Sequence, residues 1–347
     1  MFYKTEQEII HKWQGDIHKP VVSICVIAYN HEKYIAEAMD SFLMQETSLP
    51  FEIVIGEDCS SDNTRLIINQ YINKYPNIIK FITSDNNVGM QKNFIRAKNN
   101  CKGEYIAICE GDDYWIDVKK IQIQVNTMKN YMECDMSFHP VKQKEADRLT
   151  YILANHSKVN KVFSISSLIV NDGGFCPTSS LMFRGDFLRN IPENFFLNVP
   201  VVDYYLQILG SKRGGALYIK DSMSIYRIGH SSSWTHTMLD INKVAIWSQK
   251  SLQAIQDLEI FLDKDYSHEL SIAKAKVYFV LFKAYLYSNL ISEYKIAIDK
   301  VIEFDKQSIK YKVFYLLKSS PKVLKVLFVL KRNIDCIKRK IYTSKWK

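Results

Sequence analysis

The segment Val21-Val22-Ser23-Ile24-Cys25-Val26-Ile27-Ala28 constrains this chain more than any other. A nearly unbroken apolar run rich in β-branched residues suits a strand buried on both faces, and such strands belong to parallel sheets covered by helices. The next hundred residues keep to that architecture, strand alternating with helix. A helical stripe (Tyr34, Ile35, Ala38, Met39, Phe42, Leu43) leads to a second strand at Phe51–Ile55. Ser60, Ser61 and Asp62 are candidate caps for a helix with apolar positions Leu66, Ile67 and Tyr71. A third strand is expected over Ile78–Thr83, a helix over Met90–Asn100 and a fourth strand over Tyr105–Cys109. Strand–helix alternation of this kind gives an α/β fold, a Rossmann-like, mostly parallel sheet with helices on both faces.

In such sheets ligands collect at the carboxyl ends of the strands. Here successive strand ends deliver Tyr29-Asn30, Glu57-Asp58 and Glu110-Gly111-Asp112-Asp113. Carboxylates crowded on one loop repel one another unless a proton or a cation relieves them. Mg²⁺ and Mn²⁺ are hard cations that use one or two carboxylates together with substrate phosphates. The alternative for these four residues is a solvated acidic turn ahead of the helix after Asp117. No glycine-rich basic loop follows the first strand, which argues against a nucleotidyltransferase, and no G-x-G-x-x-G follows it, which argues against a dinucleotide-dependent oxidoreductase.

Later segments are less regular. Residues 140–178 read as irregular apart from a weak helix near Ser164–Val170. Short strands are expected at Ser179–Arg184, Leu217–Ile219 and Met223–Tyr226, and a helix at Val201–Leu209. Beyond about residue 236 the pattern is helical, with Ile246, Leu252, Ile255, Leu258 and Phe261 as the inward stripe. These readings divide the chain into an N-terminal helical extension (1–19), an α/β domain (20–235) and a helical C-terminal region with a basic tail (236–347).

Four stretches resemble the family 2 glycosyltransferases in order and spacing: VSICVIAYNHEKYIAEAMDSFLMQ, FEIVIGEDCSSDNT, the turn Asp85-Asn86-Asn87-Val88-Gly89, and KGEYIAICEGDDYW. The resemblance is close over residues 20–130 and looser over 175–235. It implies a GT-A fold and inverting transfer of a sugar from a nucleotide-diphosphate donor to an acceptor hydroxyl, with Mn²⁺ or Mg²⁺ as cofactor. It further implies that Ala28, Tyr29 and Asn30 meet the nucleobase and that Glu57 or Asp58 accepts a hydrogen bond from base or ribose. Asp112 and Asp113 match the metal-and-diphosphate carboxylates. Glu110 stands in the first place of the family's D-x-D pattern, where Asp is usual. Asp203, at the start of a helix after the acceptor loop Phe175–Ser180, matches the general base; read by itself it is also a helix N-terminal acid favoured by the macrodipole. Many relatives carry Tyr-Arg-x-His after the last strand, whereas this chain has Tyr226-Arg227-Ile228-Gly229-His230, so Arg227 and His230 both become candidates for the diphosphate. The resemblance also brings a glycan or lipid-linked oligosaccharide of a bacterial surface polysaccharide as the expected acceptor. A transferase that has lost catalysis and serves as a scaffold at the membrane is the alternative.

Charge bears on location. The chain carries a net +9, but thirteen Lys or Arg and one acid, Asp335, lie between Lys306 and Lys347. That segment is +12 (13 − 1), which leaves the rest at −3 (9 − 12). A near-neutral body with a basic tail argues against nucleic acid as a partner of the catalytic domain. The tail's interleaved apolar and basic residues suit an anionic membrane interface, or alternatively a solvated helix face. Seven cysteines without zinc-ligand spacing suggest reduced thiols. The opening residues lack the apolar stretch of a secretory signal, and no run approaches the ~20 apolar residues needed to span a bilayer. The expected setting is the cytoplasm, peripheral to the inner face of the plasma membrane.

Overall fold

A computed structural model describes residues 4–344 apart from 147, 172, 230–237, 239 and 263–264; side chains are described as far as Asn333, Arg332 excepted. A short helix α1 (Glu6–Ile10) precedes the alternating region β1 (Val22–Ala28), α2 (Ile35–Leu43), β2 (Phe51–Glu57), α3 (Thr64–Lys74), β3 (Ile79–Ile82), α4 (Met90–Asn99) and β4 (Tyr105–Glu110). Next come β5 (Tyr114–Trp115), α5 (Lys120–Lys129), β6 (Met136–Phe138), β7 (Val141–Glu145), β8 (Arg148–Leu153), β9 (Lys161–Phe163) and α6 (Ile165–Ile169). They are followed by β10 (Met182–Arg184), α7 (Gly185–Asn190), α8 (Glu193–Asn198), α9 (Val202–Gly210), β11 (Ala216–Tyr218) and β12 (Ser224–Ile228). Five helices complete the described chain: α10 (Ile241–Phe261), α11 (Ser267–Tyr287), α12 (Ile291–Phe304), α13 (Ile309–Leu316) and α14 (Pro321–Ser344).

The strands form an eight-stranded sheet in the order β3-β2-β1-β4-β10-β6-β11-β9 and a four-stranded sheet in the order β5-β12-β7-β8. β3, β2, β1 and β4 run parallel, as expected of their apolar runs. β10 runs antiparallel to β4 and to β6, so the sheet is mixed beyond its first half. In β1 only Ile27 is not fully buried, and every residue of β2 is buried.

Several expectations need correcting. Residues 140–178 are not irregular: β7, β8 and β9 lie there, and the first two pair with each other around a bulge at Gln143/Lys144. The Val-Lys-Gln-Lys-Glu of β7 lacks a strand signature, and one of its two partners, β12, comes some eighty residues later. Strand β10 is shorter than Ser179–Arg184, since a 3₁₀ turn occupies Thr178–Ser180. The helix α3 is capped by Asn63 without a side-chain bond; Asp62 accepts from Thr64 N–H, while Ser60 and Ser61 turn to Asn30 instead. Leu66 is 59% exposed and Ile68 takes the buried place, and Ile246 is 58% exposed while Val244 is buried.

The N-terminal extension is sewn to the sheet. Glu6 accepts from the backbone of Asn77 and Ile78, and Ile9 enters the core beside β1 and β2. Burying such an isoleucine is worth roughly 1.5–3 kcal/mol. The C-terminal helices also begin inside the catalytic body, because Ile255 and Leu258 of α10 and Leu270 of α11 pack in one cluster with Phe183, Tyr205 and Leu206. Farther along, Phe279 and Phe282 of α11 face a second core made with Tyr294, Val301, Phe314 and Leu324. Among the described residues no helix is long and apolar enough to cross a membrane.

Candidate active site

Register brings the strand tips to one level, with Ala28 opposite Glu57 and Ile27 opposite Glu110. Beyond Ala28 the chain turns sharply at Asn30, whose φ of 57° is tolerated by Asn better than by most residues. Its N–H donates to Ser60 Oγ at 2.9 Å, and its Oδ1 accepts from Ser61 N–H at 2.9 Å. His31 N–H donates to Thr64 Oγ1 at 2.7 Å. The loops after β1 and β2 are thus laced together, which leaves Tyr29 at the rim, 43% exposed.

Glu57 and Asp58 are both buried, and the structure spends their oxygens on loops. Glu57 accepts from Ser60 N–H and from Arg65 Nε, each at 2.6 Å. Burial opposes its charge, but the bonds from Ser60 and Arg65 outweigh burial and hold the carboxyl below its ordinary value. Asp58 accepts from Val88 N–H at 2.8 Å and Gly89 N–H at 2.9 Å, which fixes the 85–89 turn.

The acidic loop after β4 has the opposite character. Gly111 lies so close to the first strand that an added Cβ would stand 2.9 Å from His31 Nδ1 and from Ile35, so only glycine lets the loop rest there. Asp112 faces His31, with Oδ2 at 3.9 Å from Nε2. Asp113 is 1% exposed; its Oδ1 accepts from Arg227 N–H at 2.9 Å, and its Oδ2 has no hydrogen-bond partner among the described residues. Burial, then repulsion from Asp112 and Glu110, pushes the Asp113 carboxyl far up. Burial and repulsion from Asp112 and Asp203 push Glu110 up to about 8.

Asp203 stands in the first turn of α9, where its Oδ2 accepts from Thr178 Oγ1 at 3.4 Å. Gln207, one helical turn on, donates to the carbonyls of Gly173 and Cys176 and so ties the 173–176 segment to the same helix. Tyr226 on β12 joins the two sides: burial, then the charges of Glu110, Asp113, Asp112 and Asp203, raises its phenol well above the ordinary value. All four carboxylates therefore lie within electrostatic reach of one phenol, three of them on the loop after β4. Arg227 braces it from behind, donating to the Asp112 carbonyl and the Glu37 carboxylate while its guanidinium lies 4.3 Å from the Tyr114 ring centroid and 5.1 Å from that of Tyr34. His230 lies outside the described residues.

Among the described residues no group of three or more His, Cys, Asp or Glu has the arrangement of a complete metal cage. The chemistry of the loop nevertheless fits a hard cation that takes only one or two protein carboxylates and completes its shell with phosphate and water. The uncompensated Asp113 Oδ2 and the mutual repulsion of three acids are what such a cation would relieve.

Sequence reasoning missed His31, Tyr226 and Lys120. Lys120 is fully buried behind the loop, donates to Gln124 and lies 4.1 Å from the Trp115 ring centroid; burial lowers it to about 7. An i, i+4 Lys–Gln pair looks like an exposed helix face, so nothing in the sequence marks it. Tyr226 enters the sequence reading as a strand residue and as the first place of the Tyr-Arg-x-His pattern, with no role of its own.

The profile of the family described as Glycosyl transferase family 2 matches residues 23–189. An uncharacterized protein of Mycobacterium tuberculosis is 32% identical over 248 residues, 71% of this chain and 69% of its own. A putative teichuronic acid biosynthesis glycosyltransferase of Bacillus subtilis is 34% identical over 35% of this chain and 46% of its own. Among solved structures, S. aureus TarS 1–349 in complex with UDP-GlcNAc superposes with a TM-score of 0.57 at 17% identity, covering 87% of both chains. Mannosyltransferase PcManGT from Pyrobaculum calidifontis, in complex with GDP-Man and Mn²⁺, gives 0.52 at 13% identity, covering 90% of this chain and 88% of its own. With parallel strand tips carrying the acidic loop and relatives of this kind, the chain belongs to the family 2 glycosyltransferases and has the GT-A fold.

Proposed function

We propose that this glycosyltransferase moves a hexose from a nucleotide-diphosphate donor to an acceptor hydroxyl in a single inverting displacement. The reading is supported by Asp203, in the first turn of α9, and the acidic loop after β4 both acting on Tyr226 and Glu110, which suits a base working opposite a cation-seeking loop. Ala28, Tyr29 and Asn30 line the base end of the cleft. Glu57 and Asp58 act there by holding the 59–64 and 85–89 loops in shape. Asp203 takes the proton of the acceptor hydroxyl as that oxygen attacks the anomeric carbon, and the bond to the diphosphate breaks on the opposite face. Mn²⁺ or Mg²⁺, held by Asp112 with Glu110 and Asp113, would supply Lewis-acid neutralisation of the leaving diphosphate. Arg227 keeps the loop in place, and with His230 remains a candidate for the diphosphate itself. Holding two substrates in line accounts for much of the acceleration.

The acceptor is a growing glycan or a lipid-linked oligosaccharide, and the enzyme works at the cytoplasmic face of the membrane. The named relative in teichuronic acid biosynthesis and the tail's charge support this assignment. A panel of nucleotide sugars with Mn²⁺ in thermal-shift assays identifies the donor, since binding to the native state alone raises its melting temperature. Transfer by wild type and by Asp203→Asn then tests the base. The variant is expected to bind donor normally and to lose transfer by roughly 10²–10⁴-fold; near-full turnover would remove Asp203 from the mechanism. Donor binding by wild type without turnover on any acceptor would favour the scaffold reading.

A further inference from the structure

Helix α13 buries Tyr311 and Phe314 and turns a second apolar face outward. Ile309, Val313 and Leu316 are 79%, 44% and 79% exposed, and their spacing of four and then three places them on one side, opposite the buried pair. Lys310 and Lys312, both exposed, flank that stripe. Helix α14 repeats the arrangement: Leu324 is buried, whereas Val323, Val326, Val329 and Leu330 are exposed along with Lys322 and Lys331. Solvent-facing aliphatic residues scattered singly need no explanation, but seven on consecutive helices, rimmed by lysines, do.

We infer that the outward faces of α13 and α14 form a docking surface for an anionic lipid bilayer, the apolar stripe entering the acyl boundary and the lysines meeting the headgroups. The inference rests on the membrane-side reading of the acceptor and names the surface responsible. Charge decides the occupant. The exposed lysines described beside the stripe, Lys310, Lys312, Lys322 and Lys331, would repel those of a second copy, whereas anionic lipid is complementary to them. The lysines are crowded as well: desolvation beside the Phe279 ring, 4.2 Å from Lys310 Nζ, and the charges of Lys331, Lys276 and Lys283 push Lys310 down to about 8. Lipid phosphates would relieve that repulsion. Long lysine stems beside an apolar stripe can also lie along it while their ammonium groups reach the headgroups. Helix α14 runs back beside β8, the edge strand of the sheet that carries Arg227, which ties the docking helices to the catalytic body.

Co-sedimentation of the full chain with vesicles of phosphatidylcholine alone, or of phosphatidylcholine with phosphatidylglycerol, tests this. Wild type should pellet with the anionic vesicles and stay in solution with the neutral ones. Ile309→Ser/Val313→Ser/Leu316→Ser and Lys312→Glu/Lys322→Glu should each weaken vesicle binding about tenfold or more. Both alter exposed positions and should keep the wild-type melting temperature and nucleotide-sugar thermal shift. If wild type ignores anionic vesicles, or either variant binds them as wild type does, the proposed surface is wrong. A wild-type dimer that the serine variant dissociates, with vesicle binding unchanged, would instead assign the stripe to a second copy. Absence of any nucleotide-sugar shift in wild type would count against the donor reading and leave the vesicle result to stand or fall separately.

Discussion

Two acidic clusters stand at the tips of β2 and β4, on either side of β1, and have opposite electrostatics. Glu57 and Asp58, after β2, are buried but well served: the Ser60 N–H and Arg65 hold Glu57 ionised, and Asp58 clasps the 85–89 turn. Glu110, Asp112 and Asp113, after β4, are crowded and poorly compensated, and burial with mutual repulsion drives Glu110 and Asp113 toward their protonated forms. Burial alone therefore does not separate scaffold from chemistry. What separates them is whether the protein supplies its own counter-charge or leaves that to a ligand.

Breaking the crowded cluster after β4 should have the largest effect. Asp112→Asn is expected to lower transfer by about 10²–10⁴-fold with the urea midpoint little changed, since the repulsion it removes opposes folding; a variant with wild-type turnover would exclude Asp112 from the cation site. Breaking the served cluster should instead cost stability. Asp58→Ala strands the Val88 and Gly89 N–H groups and should lose about 1–3 kcal/mol in urea unfolding, with weakened donor binding as the 85–89 turn loosens. Equal stability of variant and wild type would show that the clasp is dispensable.

A third test sharpens the contrast through pH. Glu110 titrates near 8 in the folded protein against an ordinary 4.5, so the folded state holds the extra proton between those values. Its contribution to stability is accordingly greatest at low pH and is lost as pH rises from about 4.5 through about 8. A cation binds the ionised carboxylates, so the rise in melting temperature produced by Mn²⁺ should be larger at about pH 8 than at about pH 6. A shift independent of pH would mean that these acids do not meet the metal.

The smallest effect concerns Lys120, lowered by burial to about 7 from an ordinary 10.5. Between those values the unfolded chain binds the additional proton, so stability should climb as pH rises from about 7 to about 10. Lys120→Met should flatten that climb in urea titrations at a series of pH values; an unchanged slope would assign it to other groups.

Sequence and structure agree best where pattern is local. β1 to β4 and their helices follow from apolar periodicity, and the loops after β1, β2 and β4 are legible because chemistry-bearing residues come directly after each strand. Of the second sheet only β12 is legible, as the strand expected at Met223–Tyr226. β7 is drawn into place by β12, and its own residues, Val-Lys-Gln-Lys-Glu, would serve equally well in an exposed turn.

Residue order alone determined the parallel half of the fold, the acids at its strand tips and the basic C-terminal segment, because those depend on side chains spaced along one stretch of chain. Only the tertiary structure decided which acids are neutralised, that Arg227 is engaged by Glu37, and that Lys120 is buried. Each of these depends on partners far apart in sequence, and a carboxylate's charge state is set by what folding packs around it rather than by its neighbours in the chain.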